Sequence, residues 1–190
     1  MIYADHAATT KISETAKLAM LSAMEKDWYN PSSLYTPGQQ ASGTLMDARV
    51  RIAHCLGCLP KEIYFTSGGS EADNQAILSA AAIGKRQGKM HIISTAFEHH
   101  AVLHTLKKLE KEGFEITLLD VGEKGIVSHV QVEKAIRPDT ILVTVMYANN
   151  EIGTIQPIRE IGAICRKNGV LFHTDAVQAA GHLQINVEKD

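Results

Sequence analysis

The 190 residues are 45% apolar, ample for a packed core in one large or two small domains. With 19 basic against 21 acidic side chains the chain is near neutral, which excludes the one-sided charge of a nucleic-acid or anionic-membrane binder. No apolar run approaches the roughly 18 residues of a membrane span, and MIYADHAATT has neither the basic nor the apolar region of a secretory leader. Three cysteines, Cys55, Cys58 and Cys165, cannot all pair, so free thiols in a reducing, cytoplasmic setting are expected.

Along the chain, Ser13 is a helix N-cap for a helix running to about Lys26. Asn30-Pro31-Ser32-Ser33 and Pro37-Gly38 read as an irregular loop, followed by a helix over 39–55. From there short apolar runs alternate with amphipathic ones. The spacing predicts strand 62–66, helix 70–86, strand 90–95, helix 101–112 and strand 114–119. A short helix capped by Ser128, strand 141–147, helix 158–168 and strand 170–174 complete the series, with a last short helix over 176–181. Five strands with intervening helices imply an α/β fold, a mainly parallel sheet covered on both faces.

Ligands in such sheets bind beyond the carboxyl ends of the strands. Four polar clusters stand there: the run from Thr66 to Asn74, then Glu98-His99-His100, Asn149-Asn150-Glu151, and Asp175 with Gln178. Ser67-Gly68-Gly69-Ser70 leads into a helix, where backbone amides and partial positive charge suit a phosphate, although a glycine turn with Ser70 as ordinary N-cap reads the same. Asp175 ends a buried strand, where its carboxylate needs a cation or donors, or else caps the helix that follows. Gln178 lies about one turn further on.

His99 can stack on a ring or shuttle protons near neutral pH, or simply pack. His100 and His104 have the i,i+4 spacing of helical metal ligands but lack the third ligand of a zinc motif, so no metal is assigned. Cys55-Leu56-Gly57-Cys58 falls at a helix C-terminus, where Gly57 reads as the helix-ending residue rather than part of a redox motif.

Six motifs occur in one order: Tyr3 to Thr10, Asn30-Pro31-Ser32-Ser33, Phe65 to Asn74, Glu98 to Val102, Asn149 to Gly153, and His173 to Gln178. In this series the chain resembles the N-terminal half of a cysteine desulfurase, of the kind serving nitrogen fixation and iron-sulfur cluster assembly. These are class V, fold-type-I enzymes dependent on pyridoxal phosphate (PLP). The resemblance implies a three-layer sandwich, an incomplete fold-type-I large domain over 38–190 preceded by an arm of helix and loop over 1–37.

It further implies that Gly69 and Ser70 hold the cofactor phosphate, that His99 stacks on the pyridine ring as the catalytic residue, and that Asp175 pairs with the protonated ring nitrogen. Gln178 would bond the phenolic oxygen, and Asn150 would sit by that oxygen and the substrate carboxylate. The implied reaction takes sulfur from L-cysteine to an enzyme cysteine and leaves alanine. The implied partners are a second copy of the chain or a complementary C-terminal fragment, and a sulfur-acceptor scaffold protein. Tyr35 and Pro37 depart from the family's pattern in a loop near its dimer interface.

The family's Ser-x-His-Lys motif, its catalytic cysteine loop and its carboxylate-binding arginine all correspond to positions past Asp190, so residues 1–190 alone are expected not to complete desulfuration. Two strands of the family's sheet also correspond to later positions, so strand 62–66 is expected to lack its neighbour and strand 170–174 to present an apolar edge that recruits another chain. The same motifs are compatible with another class V enzyme, an aminotransferase or selenocysteine lyase, or with a noncatalytic binding protein on this scaffold.

Overall fold

The computed structural model describes residues 2–190, which divide into two compact units. The first comprises the chain up to Tyr64 together with Asn186–Glu188; the second comprises Phe65–Ile185 with Lys189–Asp190.

The first unit holds α1 (Glu14–Lys26), α2 (Thr36–Leu56) and a 3-10 turn at Pro60–Glu62. Ser13 caps α1 as expected, its hydroxyl accepting from Ala16 N at 3.2 Å. At the other end of α1, the Asp27 carboxylate accepts from Gln40 Nε2 at 3.2 Å and Thr44 Oγ1 at 3.1 Å, tying the two helices together. Pro37 and Gly38 are not loop residues: they lie in the first turn of α2, where proline's missing N–H costs nothing and its fixed φ suits the helix. Gly57 ends α2 with φ +67°, as its position predicted.

The expected strand over 62–66 does not form. Glu62 ends the 3-10 turn, and Ile63 continues in extended backbone that no ladder takes up. Its carbonyl is instead taken by the Arg49 guanidinium. β-branched and aromatic side chains favour extended backbone, but a strand exists only where a neighbour completes its hydrogen bonds.

The second unit is a sheet of β1 (His91–Thr95), β2 (Glu115–Leu119), β3 (Thr140–Thr144) and β4 (Leu171–His173), all parallel, in the order β2-β1-β3-β4. The helices α3 (Gly69–Gln87), α4 (His100–Lys111), α5 (His129–Ala135) and α6 (Ile158–Asn168) cover it. Successive strand residues point to opposite faces. Ile92 and Leu142 therefore pack with Ile77 of α3 and Leu106 of α4. Ile93 and Val143 pack on the other side with Val132 of α5 and Ile161 of α6. The result is the expected three-layer α/β sandwich.

The central strands β1 and β3 are buried along their whole length, whereas β2 and β4 are edges and Leu171 is 44% exposed. Gly84 lets α3 approach closely: a Cβ there would come within 2.6 Å of Lys89 O and 2.9 Å of Ile141 Cγ1. At the amino end of the sheet, His91 is fully buried and bonds Thr140 Oγ1 at 2.7 Å and Thr117 Oγ1 at 2.8 Å, so one side chain spans three strands. Burial lowers its pKa and keeps it neutral. Beyond β4, residues 176–181 make turns and not the short helix expected, closed by bonds such as Ala180 N to Ala176 O at 2.8 Å.

Candidate functional site

The carboxyl ends of β1, β3 and β4 gather the polar groups of the second unit. Asp175, just past β4, is buried, and its Oδ1 accepts from Val177 N at 2.9 Å. Its pKa is raised, chiefly by desolvation and further by the neighbouring Asp73, while His173 and His99 draw it down. His99 is thus close enough to act on Asp175 electrostatically. It caps α4, Nδ1 accepting from Ala101 N at 3.1 Å, so in the neutral ring the proton is on Nε2. His100 and His104 stack at 5.6 Å on the exposed flank of α4.

The phosphate-type turn has the shape an anion needs. The N-cap of α3 is Gly68, not Ser70, and it offers no side-chain bond to the first turn. Glu71 accepts from Ser67 N and Ser67 Oγ, at 2.6 and 2.5 Å, which stiffens the entry and lowers its own pKa. The N–H groups beside Gly69 and Ser70 thus keep the partial positive charge of a helix start without an internal cap.

Gly69 also lets the turn after β4 come close: a Cβ at this position would meet Val177 Cγ2 at 2.7 Å. That contact sets Val177, which lies between Asp175 and Gln178 in the chain, against the start of α3. Gly69→Ala is expected to cost about 1 kcal/mol of stability by displacing Val177, and the double variant with Val177→Ala to recover it. Thermal denaturation of both checks this; no recovery in the double variant would mean that the contact does not set the spacing.

Asn150 lines a cavity of about 450 Å³ together with Phe97, Glu98, His99 and Asn149. Of the six predicted residues, Gly69 meets the turn of Asp175 through Val177, His99 acts electrostatically on Asp175, and Asn150 shares this cavity with His99; Ser70 and Gln178 are the chain neighbours of Gly69 and Val177.

Three titratable residues given no ligand role by sequence reasoning share the site: Glu98, His173 and Asp73. Glu98 is 4% exposed, and its Oε1 accepts from Thr95 Oγ1 at 2.6 Å and Met146 N at 2.9 Å. Desolvation raises its pKa to about 7 against the pull of these two bonds, with the Asp175 charge adding to the rise. His173 Nε2 lies 3.5 Å from Asp73 Oδ1, and its Nδ1 pairs with Thr144 Oγ1 at 2.8 Å. The only sequence signal for Glu98 is its place immediately after β1, beside His99.

Among the described residues, buried Ser94 Oγ, Glu98 Oε2 and Thr174 Oγ1 have no hydrogen-bond partner, and all three lie at or just past the carboxyl ends of β1 and β4. Orphaned buried polar atoms are rare in native interiors. Together with a desolvated Asp175 and an uncapped helix start, they fit a ligand that brings a cationic ring nitrogen and a phosphate. Cys165 lies elsewhere, fully buried against α5, its thiol pushed up to about 12 by burial, which leaves it unsuited to accept sulfur.

Known proteins share this sequence and fold. The aminotransferase class-V family matches residues 2–189. The cysteine desulfurase IscS of Methanosarcina thermophila is 50% identical over 188 residues, covering 99% of this chain and 46% of that protein. That of Dictyoglomus turgidum is 45% identical, covering 99% and 48%. Among solved structures, SspA in complex with cysteine superposes with a TM-score of 0.93 at 39% identity over 98% of this chain and 54% of the other. The apo cysteine desulfurase of Thermococcus onnurineus NA1 superposes with a TM-score of 0.87 at 29% identity, over 97% and 46%. The chain spans about half the length of the curated relatives it matches. A fold, a motif series and a sequence match that each run almost from end to end of residues 2–189 leave one assignment: the chain belongs to the aminotransferase class-V family.

Proposed function

We propose that residues 1–190 form the N-terminal portion of a PLP-dependent cysteine desulfurase, acting on L-cysteine in the cytoplasm as a homodimer and passing sulfur to an acceptor protein. The observation that carries this reading is the desolvated Asp175 carboxylate at the end of β4, held beside the uncapped start of α3 by the close approach of Val177 to Gly69.

PLP, when bound, supplies a protonated pyridine ring that accepts the electron pair left when an amino acid loses its α-proton. Asp175 holds the proton on the ring nitrogen, because a buried carboxylate with a raised pKa gains most from a cationic donor. Gly69 and Ser70 bind the phosphate through helix N–H groups. His99 faces the ring, its Nδ1 engaged with Ala101 N and its Nε2 left to hold or move a proton. Gln178 and Asn150 orient the phenolic oxygen, and Asn150 reaches the substrate carboxylate. The balance is L-cysteine plus an enzyme thiol giving L-alanine plus an enzyme persulfide, with the acceptor thiol supplied from outside residues 1–190.

The test is made on the protein that carries this chain. PLP is titrated in and followed by its absorbance, then L-cysteine is added and alanine and persulfide sulfur are quantified. Equal yields of the two support the reading. Production of a keto acid in place of alanine would assign an aminotransferase, and cofactor absorbance without any turnover a binding protein.

A further inference from the structure

We infer that Glu98 and Asn149 clamp together the two loops that carry His99 and Asn150, and so act as positioning residues for the site. This rests on the PLP reading above for its function, though not for its geometry. The loop after β1 and the segment after β3 are joined by two bridges running in opposite directions, one buried and one part-buried. Glu98 reaches from the first loop to accept from Met146 N at 2.9 Å. Asn149 reaches back, its Nδ2 donating to Phe97 O at 3.1 Å.

Each bridge is braced at its own base. Glu98 Oε1 also accepts from Thr95 Oγ1 at 2.6 Å, and Asn149 Oδ1 accepts from Glu151 N and Ile152 N, both at 2.9 Å. Both residues are buried, 4% and 7% exposed, and each immediately precedes a proposed ligand contact, His99 and Asn150. A side chain whose own rotamer is locked by packing and hydrogen bonds holds its neighbour to a narrow geometry. The groups that face Glu98 are Asp175 and His173 from the end of β4, while Asp73 of α3 acts on Asp175. In that acidic company the bridge is made by a carboxyl that need not be charged, since only Oε1 is used.

The variants Glu98→Gln, Glu98→Ala, Asn149→Asp and Asn149→Ala separate shape from charge. Glutamine retains the accepting oxygen; aspartate retains the bonds to Glu151 and Ile152 but loses the donor to Phe97. Amide hydrogen exchange of the apo-protein at pH 6 is expected to rise ~10-fold at Met146 in Glu98→Ala and by a similar factor over 97–101 in both Asn149 variants. Glu98→Gln should stay within ~3-fold of wild type, with β2 amides unchanged throughout as a control for global unfolding.

Titration with PLP should then show weaker binding in the three damaging variants and not in Glu98→Gln. Unchanged exchange in Glu98→Ala and Asn149→Ala would overturn the clamp, and so would a Glu98→Gln as damaging as Glu98→Ala. If the variants show the exchange pattern but wild type binds no PLP, the clamp stands and the functional reading falls.

Discussion

On the proposed function, replacing Asp175 by Asn is expected to lower affinity for PLP by about 10²- to 10³-fold, the loss of a desolvated ion pair at about 3–4 kcal/mol. In the protein that carries this chain, cysteine turnover is expected to fall at least as far, because an amide cannot keep the ring nitrogen protonated. The apo-protein behaves in the opposite sense. Burial and the Asp73 charge raise the Asp175 pKa, so the folded state holds that proton more tightly than the unfolded chain. An acid of this kind costs stability once pH exceeds its ordinary value, and removing its charge relieves that cost. At pH 8 the apo variant is therefore expected to melt no lower than wild type while failing to bind cofactor. Isothermal titration and apo melting curves read both sides, and a variant that binds PLP normally would refute the assigned role of Asp175.

The second large effect belongs to Glu98. Its pKa stands at about 7, against an ordinary value of 4.5, so between those limits the folded protein binds more protons than the unfolded. Stability contributed by this group is present at acid pH and is lost as pH rises from 4.5 to 7. The full loss is about 3 kcal/mol, reached just above the upper limit. Glu98→Gln cannot ionise and escapes it. Denaturation at pH 5 should show little difference between the two proteins, whereas at pH 8 the variant should be more stable by about 3 kcal/mol. Parallel stability curves across that range would mean that Glu98 is not desolvated as the structure shows.

Much of this architecture is legible in the sequence because it is local. Ser13 and Ser128 marked helix starts, Gly57 marked an end, and the alternation of apolar runs placed all four strands of the sheet to within a few residues. What failed depended on partners. Residues 62–66 have a strand's composition and no neighbour, and residues 176–181 follow an acid that could cap a helix, but the Asp175 carboxylate bonds Val177 N within a turn. Pro37 and Gly38 look like a loop by composition, yet proline suits a first helical turn as well as it suits a bend.

The candidate site divides in the same way. Position at strand ends and a helix start revealed the polar clusters that hold Gly69, Ser70, His99, Asn150, Asp175 and Gln178, and the motif series gave these six their implied roles. Asp73, Glu98 and His173 lie in the same clusters and motifs but drew no role, because theirs come from packing against one another across three separate elements. A charged residue in a polar motif looks solvated until the fold places it in the interior.

The strand order has a further consequence. From β1 the chain turns through α4 on one face to reach β2, and from β3 it turns through α6 on the opposite face to reach β4. The two paths leave adjacent central strands in opposite directions, so a crevice opens between β1 and β3 from connectivity alone, whatever side chains line it. Substitutions on the helix faces can retune stability without closing it. Those at Phe97–His99 and Met146–Asn150 set its width, so divergence in reaction specificity on this scaffold should concentrate in two short loops while the rest of the sheet drifts freely.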